Sequence, residues 1–207
     1  TEQGRLYWIK VYDIPEGNRQ SKGRALQNMI NIQKGDKVCA FIHVKNLNDQ
    51  EYVDNHYLIF ATKDGLMKKT TLESYSRPRA NGIIALGLRE GDRLIRVTLT
   101  DGKSQMLVAS YNGKVVRFPE DTVRPMGRTA TGVRAIKLDE DGQDRVVGMI
   151  CVEEGSKDTV LVISDKGYGK RTLLDDETGE PIYRITNRGG KGVKTMNLTD
   201  KTGNLIG

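Results

Sequence analysis

The sequence predicts an all-β chain built from repeated small sheets. Three observations predict it. Short apolar runs rich in Val, Ile, Leu, Tyr and Thr alternate with glycine-bearing turns. No long stretch keeps a helical period. Three sequence signals recur in the same order, four times.

The strands come first. Tyr57-Leu58-Ile59-Phe60, Met106-Leu107-Val108-Ala109 and Thr159-Val160-Leu161-Val162-Ile163 are the clearest. Turn signals lie between such runs: Lys63-Asp64-Gly65, Thr100-Asp101-Gly102, Tyr111-Asn112-Gly113 and Asp165-Lys166-Gly167. Asn-Gly and Asp-Gly pairs in this setting predict tight hairpins of type I′, whose two central positions need positive φ. The best helix candidate, Arg24 to Ile32, is short.

The first recurring signal is a hairpin glycine followed by a basic strand. It reads Gly4-Arg5-Leu6-Tyr7-Trp8-Ile9-Lys10, Gly65-Leu66-Met67-Lys68-Lys69-Thr70, Gly113-Lys114-Val115-Val116-Arg117-Phe118 and Gly167-Tyr168-Gly169-Lys170-Arg171-Thr172. Four places after each glycine stand Trp8, Lys69, Arg117 and Arg171. The second signal is a loop from arginine to glycine: Arg19 to Gly23, Arg77 to Gly82 with Arg79 inside it, Arg128 to Gly132, and Arg188-Gly189-Gly190-Lys191-Gly192. The third is a turn into a core strand, at Gly35-Asp36, Gly91-Asp92, Gly142-Gln143-Asp144 and Gly203-Asn204.

These signals divide the chain into approximate repeats 1–55, 56–104, 105–157 and 158–207 of one domain or part of it. A repeat of roughly 50 residues lies in the range of propeller blades. A single small sheet cannot bury its apolar face alone, so blade must pack on blade. The chain is expected to start partway through one blade and to stop at the opening strand of another, as a slice of a larger array.

Charge then bears on function. Lys and Arg number 33 against 27 Asp and Glu, a net +6. The excess is mild, so position matters more than total. A cation recurring once per repeat makes a spaced positive track, and a curved track suits a bent duplex, whose phosphates must be held along the path. Smoothly bending 20–30 base pairs costs roughly 1–6 kcal/mol, which many weak phosphate contacts can offset. The candidate DNA-binding residues are Arg19, Lys22, Arg24, Lys68, Lys69, Arg77, Arg79, Arg117, Arg128, Arg134, Lys170, Arg171, Arg188, Lys191 and Lys194. The alternative is a protein-interaction propeller whose basic loops hold an acidic partner.

Other chemistry finds little support. The segment Gly167 to Thr172 lacks P-loop spacing, because Arg171 follows Lys170. Cys39, His43 and His56 lack the spacing of a metal site, and no metal is expected. Two histidines and no nucleophile elbow give no hydrolytic triad, so no catalytic residue is expected. Glu153-Glu154 and Asp175-Asp176 fit solvated turns. Tyr7, Tyr57 and Tyr168 fit strand packing or surface stacking. Trp8 is expected in a core or between blades. Cys39 and Cys151 sit in apolar runs without framework spacing, which predicts core thiols in a reducing, cytoplasmic setting. No window approaches a membrane span, and no membrane partner is expected.

The segments Gly4 to Tyr12, Thr131-Gly132-Val133-Arg134-Ala135-Ile136-Lys137-Leu138, Gly167 to Thr172 and Asn187 to Gly192 resemble the C-terminal domain of the DNA gyrase A subunit, over essentially the whole chain. The resemblance implies a β-pinwheel, a propeller-like disc whose blades exchange strands, with DNA bent around a basic rim. It implies a parent type IIA topoisomerase that supercoils DNA negatively, directionally and with ATP. It also implies double-stranded DNA, the same polypeptide's N-terminal breakage-reunion domain and the gyrase B subunit as partners. ATP, Mg and the DNA-cleaving tyrosine would then belong to other domains or subunits, leaving no cofactor in this domain, and the setting would be cytoplasmic, at the nucleoid. Two departures stand out. The family's gyrase box, Gln-Arg-Arg-Gly-Gly-Lys-Gly, has no full copy, since Thr186-Asn187 precede Arg188, and it is expected ahead of Thr1. Four repeats are also fewer than the six blades of a gyrase disc. The related domain of the topoisomerase IV A subunit, with fewer blades and a weaker box, is the close alternative.

Overall fold

The computed structural model describes residues 1–140 and 142–207. In chain order its strands are β1 (Arg5–Leu6), β2 (Tyr57–Thr62), β3 (Leu66–Thr71), β4 (Ile83–Ile84), β5 (Leu94–Thr100), β6 (Gln105–Ser110), β7 (Lys114–Pro119), β8 (Val133–Arg134), β9 (Val146–Val152), β10 (Thr159–Ile163), β11 (Gly169–Leu173) and β12 (Val193–Lys194). They form four antiparallel sheets: β1-β4, β5-β2-β3-β8, β12-β7-β6-β9 and β10-β11. The fold is the all-β, propeller-like arrangement that the repeats predict.

Short strands are lent backwards from repeat to repeat. β4, β8 and β12 come from the second, third and fourth repeats and pair with β1, β3 and β7 of the repeat before. One backbone bond recurs at all three junctions. Ala85 N donates to Gly4 O at 2.8 Å, Ala135 N to Gly65 O at 2.8 Å, and Thr195 N to Gly113 O at 2.9 Å. The glycine that ends each arginine loop makes this approach possible. A Cβ on Gly82, at φ +64°, would stand 2.6 Å from Leu6 O. Gly132 and Gly192 lie as close to the backbone of Met67 and Val115, at φ +99° and +75°.

The hairpin turns differ from expectation. Gly65 N donates to Thr62 O, Gly113 N to Ser110 O and Gly167 N to Ser164 O, at 3.2, 2.9 and 3.0 Å. Among the described residues only glycines have positive φ. These are therefore type I turns closed by a left-handed glycine, not type I′ turns. The turn at Thr100-Asp101-Gly102 is no hairpin, since it leads from β5 to β6 in another sheet.

The third sequence signal has a physical cause. Asp92 Oδ1 accepts from Asp64 N at 3.0 Å, Asp144 Oδ1 from Asn112 N at 3.0 Å, and Asp36 Oδ1 from Gln3 N at 3.2 Å. Each of these turns thus caps the glycine turn that opens its own repeat. In the fourth repeat the roles reverse, and Asn204 N donates to Asp165 Oδ1 at 3.0 Å.

The core is divided among the seams between blades. Along β2, Leu58 and Phe60 feed the seam with the first repeat, while Ile59 and Ala61 feed the seam with the third. Along β6, Met106 and Val108 share that third-repeat seam, while Leu107 turns to the fourth repeat. Alternate residues of a strand point to opposite faces, which is why β2 runs apolar from Leu58 to Ala61 and β6 from Met106 to Ala109. Fully burying one such side chain contributes about 1.5–3 kcal/mol. On β10 only one face is covered: Val160 and Val162 are buried, whereas Leu161 and Ile163 are exposed.

Two local differences remain. Only the 3₁₀ turn Leu26–Asn28 forms within the expected helix candidate. The α-helix α1 (Gln50–Asp54) forms instead, its N-terminus capped by Asp49, whose carboxylate accepts from Tyr52 N at 3.1 Å. The run Val38 to Val44 packs on the first seam but joins no strand among the described residues. Cys39 and Cys151 are half-buried free thiols against the seams. No helix among the described residues is long and apolar enough to cross a membrane.

Candidate nucleic-acid interface

The basic residues separate into two populations. The first points inward. Four places after the first three hairpin glycines, each side chain reaches the following repeat. Trp8 Nε1 donates to Tyr75 O at 3.0 Å. Lys69 Nζ lies 2.7 Å from Glu120 Oε1, with both side chains buried. Arg117 Nε donates to Gln105 Oε1 at 2.7 Å, and its NH1 reaches Asp175 Oδ1 at 2.8 Å. The same NH1 donates to Leu174 O and Tyr183 O at 3.3 and 3.4 Å. These groups lock consecutive blades together.

Lys68, one place earlier than Lys69, is also fully buried. Its Nζ donates to Ala85 O at 2.5 Å, Arg128 O at 2.6 Å and Gly127 O at 3.4 Å, above the Phe60 ring. Burial first, and then the nearby Arg128 guanidinium, push its amine down to about 7. Tyr75 Oη donates to the same Ala85 carbonyl at 2.9 Å, and burial pushes that phenol up to about 12. The fourth repeat rebuilds this set with Lys170 Nζ on Thr195 O at 3.2 Å and Tyr183 Oη on Thr195 Oγ1 at 2.7 Å. The third repeat fills the same space with Val116, Val123 and Ala135.

Lys68, Lys69 and Arg117 are therefore corrected from DNA-binding candidates to structural residues of the seams. A buried amine or guanidinium already held by a carboxylate or by carbonyl oxygens cannot meet a phosphate on the outside. Arg171 holds the corresponding place on β11 but is exposed, and so is Lys170.

The second population points outward. Arg77, Arg79, Arg134, Arg188, Lys191 and Lys194 are exposed, and Arg128 is half-exposed. Among the described residues none of them forms an ion pair. Their loops lie on one another in sequence. The Arg77–Gly82 loop meets the first repeat through Asn31 Nδ2 to Asn81 Oδ1 at 3.1 Å. The Arg128–Gly132 loop meets the second through Gly87 N to Ala130 O at 3.2 Å. The Arg188–Gly192 loop meets the third through Gly189 N to Ala135 O at 2.7 Å and Lys137 N to Gly190 O at 2.8 Å. Arg188 also donates from NH1 to Arg134 O at 3.3 Å and from Nε to Thr122 O at 3.1 Å, which brings Arg134 and Arg188 together. Arg19, Lys22 and Arg24 are exposed on a separate stretch whose turn is held by Asn18 and Ser21.

Sequence reasoning missed Arg5 and Lys114, the residues directly after two hairpin glycines. Lys114 Nζ lies 2.5 Å from Asp139 Oδ1. Arg5 is half-exposed and donates to Asn81 O at 2.9 Å. It also missed Arg145, whose guanidinium lies 3.7 Å over the Tyr111 ring.

Comparison with known proteins agrees with this architecture. The family model described as DNA gyrase C-terminal domain, beta-propeller, matches residues 1–45, 56–101, 105–153 and 158–207. The DNA gyrase A subunit of Staphylococcus aureus strain NCTC 8325 is 43% identical over 206 residues, covering 100% of this chain and 22% of that protein. Its counterpart from strain MRSA252 is also 43% identical over the same length. The chain thus spans about a fifth of the gyrase polypeptides it matches. A crystal structure of the C-terminal domain of DNA topoisomerase IV superposes with a TM-score of 0.82 at 24% identity, covering 99% of this chain and 59% of that one. The structure of a DNA gyrase A C-terminal domain superposes with a TM-score of 0.73 at 23% identity, covering 99% and 61%. At such identities the superpositions speak for the fold alone, whereas the sequence match carries the family. On these grounds the chain belongs to the family of DNA gyrase C-terminal β-propeller domains.

Proposed function

We propose that this domain binds duplex DNA along its outward cations and bends it around the edge of the blade array. One observation carries the reading. The arginine loops of three successive repeats occupy equivalent places, each laid on the repeat before it, and among the described residues their cations meet no carboxylate. Such an arrangement offers phosphate contacts repeat by repeat, and phosphate contacts carry no sequence information, so binding is sequence-tolerant and salt-dependent. The proposed contact set is Arg77, Arg79, Arg128, Arg134, Arg188, Lys191 and Lys194. Arg19, Lys22, Arg24, Lys170 and Arg171 extend it toward the two ends.

In the parent enzyme, this wrap hands a neighbouring segment of the same DNA to a breakage-reunion domain, which makes negative supercoiling directional. The B subunit, ATP, Mg and the cleaving tyrosine act outside this chain in that scheme, in a cytoplasmic enzyme. A ligation assay tests the wrap. Relaxed nicked plasmid is sealed with ligase in the presence of the 207-residue chain, deproteinised, and resolved on a gel. The expected result is a shifted topoisomer distribution that grows with protein. A distribution identical to the protein-free control would overturn the proposal.

A further inference from the structure

In the antiparallel ladders that join the blades, one cross-strand pair recurs at an equivalent place: Arg5 opposite Ile84, Leu66 opposite Arg134, and Lys114 opposite Lys194. Directly opposed residues in such a ladder project from the same face, with Cβ atoms about 4.5–5.5 Å apart. The residue on the lent strand is exposed in all three pairs. In the third and fourth repeats it is a cation, Arg134 or Lys194. In the second it is Ile84, an isoleucine left 51% exposed. We propose that Arg5 is the phosphate-binding cation of the first junction, supplying from the hairpin strand the charge that Arg134 and Lys194 supply from the lent strand.

Three details carry this assignment, which rests on the DNA reading above. Arg5 has no acidic partner among the described residues. Lys114, the other hairpin-side cation, is taken by Asp139 and leaves its junction to Lys194. The Arg5 guanidinium is also held in place: NH2 donates to Asn81 O at 2.9 Å and Nε to Tyr7 Oη at 3.2 Å. The first bond ties it to the loop that bears Arg77 and Arg79, the second to its own strand, and together they leave further N–H groups of the fork for phosphate oxygens. Each junction then carries one open cation, although the sequence puts it on different strands.

The test is the salt dependence of binding of the 207-residue chain to a mixed-sequence linear duplex, followed by fluorescence anisotropy between 50 and 200 mM KCl. Losing one phosphate contact lowers the log–log slope by about 0.9, so the affinity drop across this range shrinks about 3.5-fold. Arg5→Ala is expected to do this, and Ile84→Lys added to it is expected to restore the slope. Arg5→Gln, which keeps a donor for Asn81 but no charge, is expected to behave as Arg5→Ala, and thermal melting checks that each variant folds. A wild-type slope in both Arg5 variants overturns the assignment. So does a lowered slope that Ile84→Lys leaves unrestored, because Arg5 then acts only through the Asn81 loop. A wild-type chain whose binding ignores salt sinks the DNA reading itself, which is a separate failure.

Discussion

Lys69 and Glu120 meet at 2.7 Å inside the seam between the second and third repeats. The carboxylate is fully satisfied there: Thr100 Oγ1 donates to Oε1 at 2.7 Å and Ser104 N to Oε2 at 3.3 Å. The Lys69 amine also lies 4.2 Å over the Tyr57 ring. Removing one partner of such a pair strands a buried charge, which costs about 3–5 kcal/mol, whereas replacing both by apolar groups is often neutral. Lys69→Met is therefore expected to lower stability by that amount in urea titrations, and Lys69→Met with Glu120→Leu to recover most of it. Equal destabilisation by the single and double variants would show that the pair does not hold this seam.

Lys68 sets a pH dependence. Burial and the Arg128 guanidinium bring its amine down to about 7 from the ordinary 10.5. Between those values the unfolded chain binds the proton that the folded chain has released. Stability therefore rises with pH across this window, and the cost of charging the buried amine is fully present below it. The facing Tyr75 phenol, pushed up to about 12, stays protonated throughout the window. Lys68→Met is expected to flatten the change in unfolding free energy between pH 7 and about 9. Parallel curves for the two proteins would remove Lys68 as its source.

The repeats, the strand positions and the arginine loops are legible in the sequence because each obeys a local rule of period or turn chemistry. The side that each cation faces is legible too, through strand alternation. Met67 and Lys69 lie two apart on β3, as do Val115 and Arg117 on β7, and side chains two apart share a face. Met67 and Val115 are seam residues, so the cations beside them point inward as well. Counting recurrences of charge without this alternation assigns Lys69 and Arg117 to the wrong side. The lent strands are different. Two residues carry no period, and the pairing of Ile83–Ile84 with Arg5–Leu6 depends on chain packing across about 80 residues. No local pattern therefore singles out Arg5. The turn type escapes for another reason, since a glycine after an aspartate serves equally in a type I turn with a left-handed third residue.

Gly82 and Gly23 end equivalent loops in different surroundings. Both have positive φ, +64° and +70°. A Cβ on Gly82 meets Leu6 O at 2.6 Å and the Tyr7 ring at 2.7 Å, whereas one on Gly23 meets nothing within 4 Å. Gly23→Ala should cost only the left-handed backbone penalty of about 1–2 kcal/mol. Gly82→Ala should cost more, because it also pushes β4 away from β1. Equal losses in denaturant titrations would mean that the lent strand is not held by this approach.

The Arg188–Gly192 loop is the place to test the interface at its best-ordered point. Arg188 is fixed by Thr122 O and Arg134 O, and Lys191 is exposed two residues past the left-handed Gly189. Arg188 bridges to the third repeat only through exposed backbone carbonyls and neither side chain is buried, so replacing both leaves the blade cores untouched. Arg188→Ala with Lys191→Ala is expected to weaken duplex binding and to lower the salt slope by about 1.8, the value for two phosphate contacts. Melting of the double variant should stay close to wild type, because it removes only two hydrogen bonds, both at exposed sites. Lys191 carries the sharper half of the argument. Its side chain makes no hydrogen bond or ion pair among the described residues, so any slope it loses can come only from a ligand. A Lys191→Ala chain that keeps the full slope would move the duplex path off this loop and onto the other junctions.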